Sequence, residues 1–324
     1  MGIEFARLLP LIGALAVAAS FASAQEKYPA KPIQMITPQS PGTATDIVAR
    51  MFAEKMAARL GQSVVVQNRP GAGATIGTGL AAKAAPDGYT ILMTNSAHTI
   101  NPSLYNNLPY DTLKDFAGLA LVTEAPAIVV VNPQVGVRTL KELVALAKEK
   151  PGAINYGSAG VGTATHLAGA YFASKAGIDI VHVPYKVAAD ITADLLTNRI
   201  QVNFVPAAFQ LAHIREGKLI AIGASTPIRM QAPFEAPSIS EEIIPGYAYA
   251  TWYGFLAPGK TPPPILKQLA AALWAAGEDA EIKEKLAAQG MIGRTLLLRE
   301  FDAYLKADFE NLAPVVKASG AKAN

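Results

Sequence analysis

From residue 33 onward the chain switches repeatedly between short apolar runs and longer stretches with apolar residues every three to four positions. Ile33, Met35 and Ile36 predict a strand at 33–37. Ile47, Val48, Met51, Phe52 and Met56 share one face of a predicted helix at 45–60, which Gly61 ends. Val64-Val65-Val66 predicts a strand covered on both faces. A short helix at 75–85, the turn Pro86-Asp87-Gly88 and a strand at 89–94 follow. This strand–helix alternation predicts a parallel sheet.

Residues 101–118 are irregular, with Pro and Tyr, and a second series of the same kind then opens. It predicts strands at 127–131, 154–156, 181–183, 200–205 and 219–224, and helices at 140–150, 165–176 and 191–197. A Pro- and Glu-rich linker with a short helix spans 227–245. A strand at 249–257 and helices at 264–276, 280–289 and 299–319 finish the chain. Helices after the second series need a sheet face to cover, and the first sheet offers one. The expected architecture is therefore two α/β lobes, each a mainly parallel sheet flanked by helices. Residues 25–124 and 226–324 form one lobe and 125–225 the other, with two crossings near 122–126 and 225–230. Such a molecule binds its ligand in the cleft and closes by hinge motion.

The N-terminus stands outside this pattern. Residues 8–19 are apolar and Ala22-Ser23-Ala24 suits a small-residue cleavage site, so 1–24 reads as a secretory signal. Cleavage after Ala24 leaves Gln25 first. Cys is absent, which excludes disulfides, thiolate catalysis and Cys-ligated metals. A net charge of +3 without a basic, aromatic-laced cluster argues against nucleic acid.

The tetrapeptide Gly-Thr-Ala-Thr occurs twice, at Gly42-Thr43-Ala44-Thr45 and Gly162-Thr163-Ala164-Thr165. Each copy stands where a predicted strand gives way to a helix. Two readings stay open on the residues alone. Ser/Thr at a helix start is an ordinary cap. Unpaired N–H groups and the macrodipole there also favour anions, so two such starts would grip a carboxylate from both sides. Gln39, Ser40, Gly42, Thr43 and Thr45 are the candidate ligand residues of the first copy; Asp46 is read as a helix cap or structural residue, since a carboxylate there would repel the ligand. Ser158, Ala159, Gly160, Gly162, Thr163 and His166 are those of the second. Asn95, Ser96, Val205 and Pro206 complete the set.

Other chemistries lack their residues. Gly160-Val161-Gly162 has Thr165 where a dinucleotide fingerprint needs its third Gly, and Gly77 comes one residue too late after Gly71-Ala72-Gly73. There is no Walker motif and no Gly-x-Ser-x-Gly elbow. His98, His166, His182 and His213 show no metal-ligand spacing, so neither metal nor cofactor is expected.

Several segments carry a family likeness. They are Tyr28-Pro29-x-Lys31-Pro32-Ile33, Gly61-Gln62-x-Val64-Val65-Val66-x-Asn68-Arg69-Pro70-Gly71-Ala72, Ala85-Pro86-Asp87-Gly88-Tyr89-Thr90, and Leu108-Pro109-Tyr110-Asp111 with Lys114-Asp115-Phe116. Ser158-Ala159-Gly160-x-Gly162-Thr163 with His166-Leu167-Ala168, His182-Val183-Pro184-Tyr185-Lys186, and Trp252-Tyr253-Gly254-x-x-Ala257-Pro258 continue it, so it covers 28–320. Together they resemble the substrate-binding proteins of tripartite tricarboxylate transporters, the Bug or TctC-like family. The resemblance implies a periplasmic, two-lobed binding-protein fold of type II kind, monomeric and without enzymatic activity. It implies a ligand carboxylate held, with ordered waters, between the loop after the first strand and the loop before the His166 helix. It also implies delivery to large and small membrane transporter subunits; the alternative is an exported sensor that signals to a membrane kinase.

Departures from the family bear on the ligand, an organic acid of di-, tri- or aromatic carboxylate type. The family's Pro-Phe-x-Pro-Gly-Gly loop is here Pro38-Gln39-Ser40-Pro41-Gly42-Thr43, and a Gly-rich stretch becomes Val187-Ala188-Ala189-Asp190. Val205-Pro206 stands where many members carry an Asp that some use against an amino group. Amino acids are therefore disfavoured and an apolar or aromatic acid is favoured.

Overall fold

The computed structural model describes residues 28–231 and 234–323, so the leader expected at 1–24 lies outside the described residues. The first elements are β1 (Ile33–Thr37), α1 (Ala44–Leu60), β2 (Val64–Asn68), α2 (Thr75–Ala82), β3 (Thr90–Asn95), α3 (Ala97–Leu104) and β4 (Phe116–Val131). Then come α4 (Leu140–Glu149), β5 (Asn155–Ser158), α5 (Ala164–Ala176), β6 (Val181–Pro184), α6 (Ala188–Leu196), β7 (Val202–Pro206), α7 (Leu211–Arg215) and β8 (Ile220–Ala224). The chain ends with α8 (Ile239–Glu242), β9 (Ala250–Pro258), α9 (Pro263–Gly277), α10 (Ala280–Ala288), β10 (Ile292–Leu297) and α11 (Arg299–Ala318).

Two parallel triplets, β2-β1-β3 and β6-β5-β7, sit at opposite ends of one strand path, β2-β1-β3-β9-β4-β7-β5-β6. Between them the pairing is antiparallel. The sixteen-residue β4 pairs β9 and β10 through its first part and β7 and β8 through its last. The first crossing between lobes is thus the strand itself, running through Glu124-Ala125-Pro126.

The return differs from the sequence expectation. The segment after β8 does not leave the second lobe at 225–230. Its Ile239 and Tyr247 pack into that lobe's core beside Phe172 and Phe204. Ser225 ties the two passages together: its amide donates to the Ala127 carbonyl at 2.8 Å, and the Tyr249 amide donates to its own carbonyl at 3.2 Å. The crossing is made only as β9 begins. A third connection is α11. Its Phe301 and Leu305 pack with Trp252 in the first lobe, and its Leu312 and Val316 with Phe172 in the second. Large side chains anchor the cores: Phe52 meets Phe255 at 5.3 Å between centroids under α1 and α9, and each such burial is worth about 1.5–3 kcal/mol.

Two further elements depart from the sequence reading. Helix α3 runs into the stretch expected to be irregular from residue 101, and β10 stands where only a link between helices was expected. Among the described residues no helix is long and apolar enough to cross a membrane.

Candidate functional site

The two Gly-Thr-Ala-Thr copies fold almost identically. Gly42 and Gly162 take φ of 79° and 77°, values that favour glycine. Thr43 and Thr163 are the N-caps of α1 and α5, with φ/ψ of −73°/160° and −72°/161°. Each hydroxyl accepts from the amide three residues on, at 3.4 Å. Each also donates back into its own loop: Thr43 to the Ser40 carbonyl at 2.8 Å, Thr163 to the Gly160 carbonyl at 2.7 Å. The threonines therefore fix the loops rather than offering free hydroxyl protons.

The position after each repeat closes the same motif. Asp46 Oδ2 accepts the Gly42 amide at 2.9 Å, and His166 Nδ1 accepts the Gly162 amide at 3.0 Å. Asp46, expected to have a capping or structural role, ties the loop to its neighbours: Arg50 Nε donates at 3.1 Å and Asn68 Nδ2 at 2.8 Å. Burial opposes its ionisation, but the bonds from Arg50, the Gly42 amide and Asn68 outweigh it and hold the carboxyl below its usual range. His166 is held neutral, near a pKa of about 4, by burial first and by the adjacent His182 second. Their rings stack at 3.8 Å.

The two loops meet at one cleft with two chambers that share Asn95, Ala164 and Thr251. The larger chamber, about 430 Å³, is walled by Gln39 and Ser40 from the first lobe, Gly162 and Thr163 from the second, and Ser96 and Asn101 from the start of α3. The smaller, about 260 Å³, is mainly apolar. Phe204, Val205, Pro206, Phe209 and Ile191 line it with several alanines, and Ala159, Tyr249 and Tyr253 close it. No residue lining either chamber, among those described, carries a charge. An anion there meets neutral dipoles. The first-turn amides of α5, beginning at Ala164, have no intrahelical acceptor and stand at the junction of the chambers. Tyr249 directs its hydroxyl to the Ala164 carbonyl at 2.8 Å, fixing this junction to the return strand. Burial raises the Tyr249 and Tyr253 phenols, so both remain protonated.

Of the expected ligand residues, Gln39, Ser40, Asn95, Ser96, Ala159, Gly162, Thr163, Val205 and Pro206 line the cleft. Gly42, Thr43, Thr45, Ser158, Gly160 and His166 do not line it. Thr45 Oγ1 receives Asn95 Nδ2 at 2.9 Å and so orients a lining residue. Ser158 has no exposure; its Oγ accepts the Gly160 amide at 3.1 Å and lies 2.5 Å from His182 Nε2. It shapes the loop and is not a ligand donor in this geometry, because the strand end turns its side chain into the His182 side of the sheet.

The sequence reading missed several lining residues. Gly71, Gly73 and Ala74 form one wall, with Ala72 and Ala74 at φ of 44° and 80°. Non-glycine residues rarely adopt such values except where the surroundings enforce them, as at functional loops. Asn101 Nδ2 secures the loop through the Gly73 carbonyl at 2.8 Å. Thr192, Asn203 and Gln210 were passed over because they sit within apolar runs.

The profile of the TctC family, "Tripartite tricarboxylate transporter family receptor", matches residues 48–317. Protein BugT of Bordetella pertussis is 33% identical over 320 residues, 98% of this chain and 98% of its own. A Rhodopseudomonas palustris protein solved with adipate is 25% identical with a TM-score of 0.74, over 91% of this chain and 99% of that one. MatC from the same organism, solved with malate, is 26% identical with a TM-score of 0.70, over 89% and 100%. The chain belongs to the tripartite tricarboxylate transporter receptor family, whose members are periplasmic solute-binding proteins and not enzymes.

Proposed function

We propose that this chain, exported and cleaved after Ala24, captures an organic carboxylate between its lobes as a monomer. It then delivers the acid to the large and small membrane subunits of a tripartite tricarboxylate-type transporter. The lobes move as the two sheet halves on either side of Ala125-Pro126, with residues 226–249 riding on the second. The observation that carries this reading is the shared chamber: Gln39 and Ser40, from the loop leading to α1, and Gly162-Thr163, at the start of α5, wall one cavity whose described lining carries no charge. Neutral N–H and O–H donors suffice for a carboxylate, since each hydrogen bond to a charged group is worth about 1.5–3 kcal/mol. Three or four of these reach the ~8 kcal/mol of a micromolar complex. Solved relatives hold adipate and malate, which suits this chemistry.

The test is titration calorimetry with adipate, malate, benzoate and the methyl ester of each. An acid should bind in the micromolar range and its ester at least tenfold more weakly. Esters that bind as well as acids would remove the carboxylate from the reading. Uptake of the bound acid by cells carrying the membrane subunits, with and without this chain, tests delivery; equal uptake would refute it.

A further inference from the structure

Two buried side-chain oxygens have no hydrogen-bond partner among the described residues: Asn203 Oδ1 and Gln210 Oε1. Both residues line the chamber, and they are 1% and 2% exposed. Asn203 Nδ2 donates to the Gly157 carbonyl at 3.0 Å. A carbonyl only accepts, so this bond fixes the amide and leaves Oδ1 as an acceptor. Gln210 Nε2 lies 3.0 Å from Thr192 Oγ1. A buried acceptor without a donor costs stability. The fixed, unpaired acceptor of Asn203, with the Gln210 amide lining the same apolar chamber, calls for a donor that arrives from outside.

The surroundings narrow what that donor is. A second carboxylate would set acceptor against acceptor. An ammonium would be desolvated beside no anion, because no lining residue is charged. A hydroxyl supplies the donor without charge. At about 260 Å³ the chamber also exceeds the ~150 Å³ that encloses a benzene ring in an engineered protein cavity.

We infer that Asn203 and Gln210 form the far-end recognition subsite of the cleft, selecting a carboxylate whose apolar body ends in a hydroxyl over the same acid lacking that hydroxyl or ending in a second carboxylate. The inference rests on the carboxylate-binding reading above.

Calorimetry on the mature chain tests it with two matched sets. One is 3-phenylpropanoate, 3-(4-hydroxyphenyl)propanoate and 3-(4-carboxyphenyl)propanoate; the other is hexanoate, 6-hydroxyhexanoate and adipate. In at least one set the hydroxy acid should bind tenfold or more tightly than both relatives, since a site built to pair a hydroxyl rejects analogues without it. Asn203→Leu and Gln210→Leu should each cut that preference at least fivefold. The second variant keeps the test alive if the first fails to fold, because Gln210 bonds only a side-chain hydroxyl whereas Asn203 bonds the β5 backbone. Acids that bind without preference for the hydroxyl, or a preference that survives both substitutions, would overturn the subsite and leave carboxylate binding standing. Failure of every acid in both sets to bind would overturn the carboxylate reading and the subsite with it.

Discussion

His166 accepts the Gly162 amide through Nδ1 at 3.0 Å, in the place where Asp46 accepts the Gly42 amide through Oδ2. An imidazole can do this only when neutral, with its proton on Nε2. Burial and the stacked His182 lower the folded pKa to about 4, while the unfolded chain takes up the proton near 6.5. The unfolded state therefore binds more protons between these values. The stabilisation is complete above pH 6.5 and is lost as pH falls from there towards 4. We expect a loss of about 2 kcal/mol across that window, to which His182, also lowered by burial, adds in the same sense. Urea denaturation at pH 7.5 and 4.5 checks this. His166→Asn keeps an acceptor without a titrating ring, so its midpoint should move less between the two pH values than that of the parent.

Gly42 and Gly162 share a conformation but not an environment. A methyl group on Gly42 meets nothing within 4 Å, so Gly42→Ala should cost only the left-handed backbone penalty, about 1–2 kcal/mol. On Gly162 it would lie 2.8 Å from Leu104 Cδ1. Leu104 lines the larger chamber, and its displacement narrows the site. Gly162→Ala should thus weaken binding of the tightest acid severalfold more than Gly42→Ala does. Equal affinities for the two variants would show that Leu104 has room to yield.

The contrast between these copies also shows what the chain discloses before folding. Both helix starts were legible, because Gly-Thr after an apolar run is a local signal. That the hydroxyls turn inward was not, since capping and ligand binding use the same residue type. Nor could Asp46 and His166 be recognised as equivalents; they are chemically unlike and share only one acceptor atom in a common place. Long-range pairing hid the rest. Glu124 and Pro126 interrupt the apolar run of β4, which continues through them because β9 pairs with it on the far side. Strand β10 has mostly exposed residues and exists through its pairing with β4 alone. The lining amides of Asn203 and Gln210 had no local signal at all.

Asp46 offers a test of the first loop's scaffold. Its carboxylate receives the Gly42 amide, Arg50 and Asn68, and Asn68 Nδ2 also donates to the Gln39 carbonyl at 3.1 Å. Asp46→Ala removes the acceptor common to three donors and should cost about 2–3 kcal/mol. Ligand affinity should fall with it, because Gln39 and Ser40 lose their anchor. The pH profile runs in the same direction as that of His166 but in a lower window. The folded pKa is lowered, so the contribution is present above about pH 4, the ordinary range, and is lost only as pH falls below it. Parent and variant curves that converge only in strong acid would bear this out; convergence already at pH 5 would not.

Asp308 joins three elements beside the crossing strands. Its Oδ2 accepts from Thr99 Oγ1 on α3 at 2.6 Å and from Trp252 Nε1 on β9 at 2.9 Å, while Asp308 itself belongs to α11. Trp252 has no exposure, so its indole N–H has no water to turn to. Burial raises the Asp308 carboxyl above its usual range, outweighing the two donors that favour its charge. The charge is therefore held at a cost, whereas the acceptor oxygen is needed. Asp308→Asn retains an oxygen and sheds the charge, and should change stability at pH 7 by less than about 1 kcal/mol. Asp308→Ala leaves the indole unpaired and should cost about 2–3 kcal/mol. Denaturation of both variants, followed by tryptophan fluorescence, separates these outcomes. Equal damage in the two would mean that the negative charge, not the hydrogen-bond acceptor, holds the α3, β9 and α11 junction together.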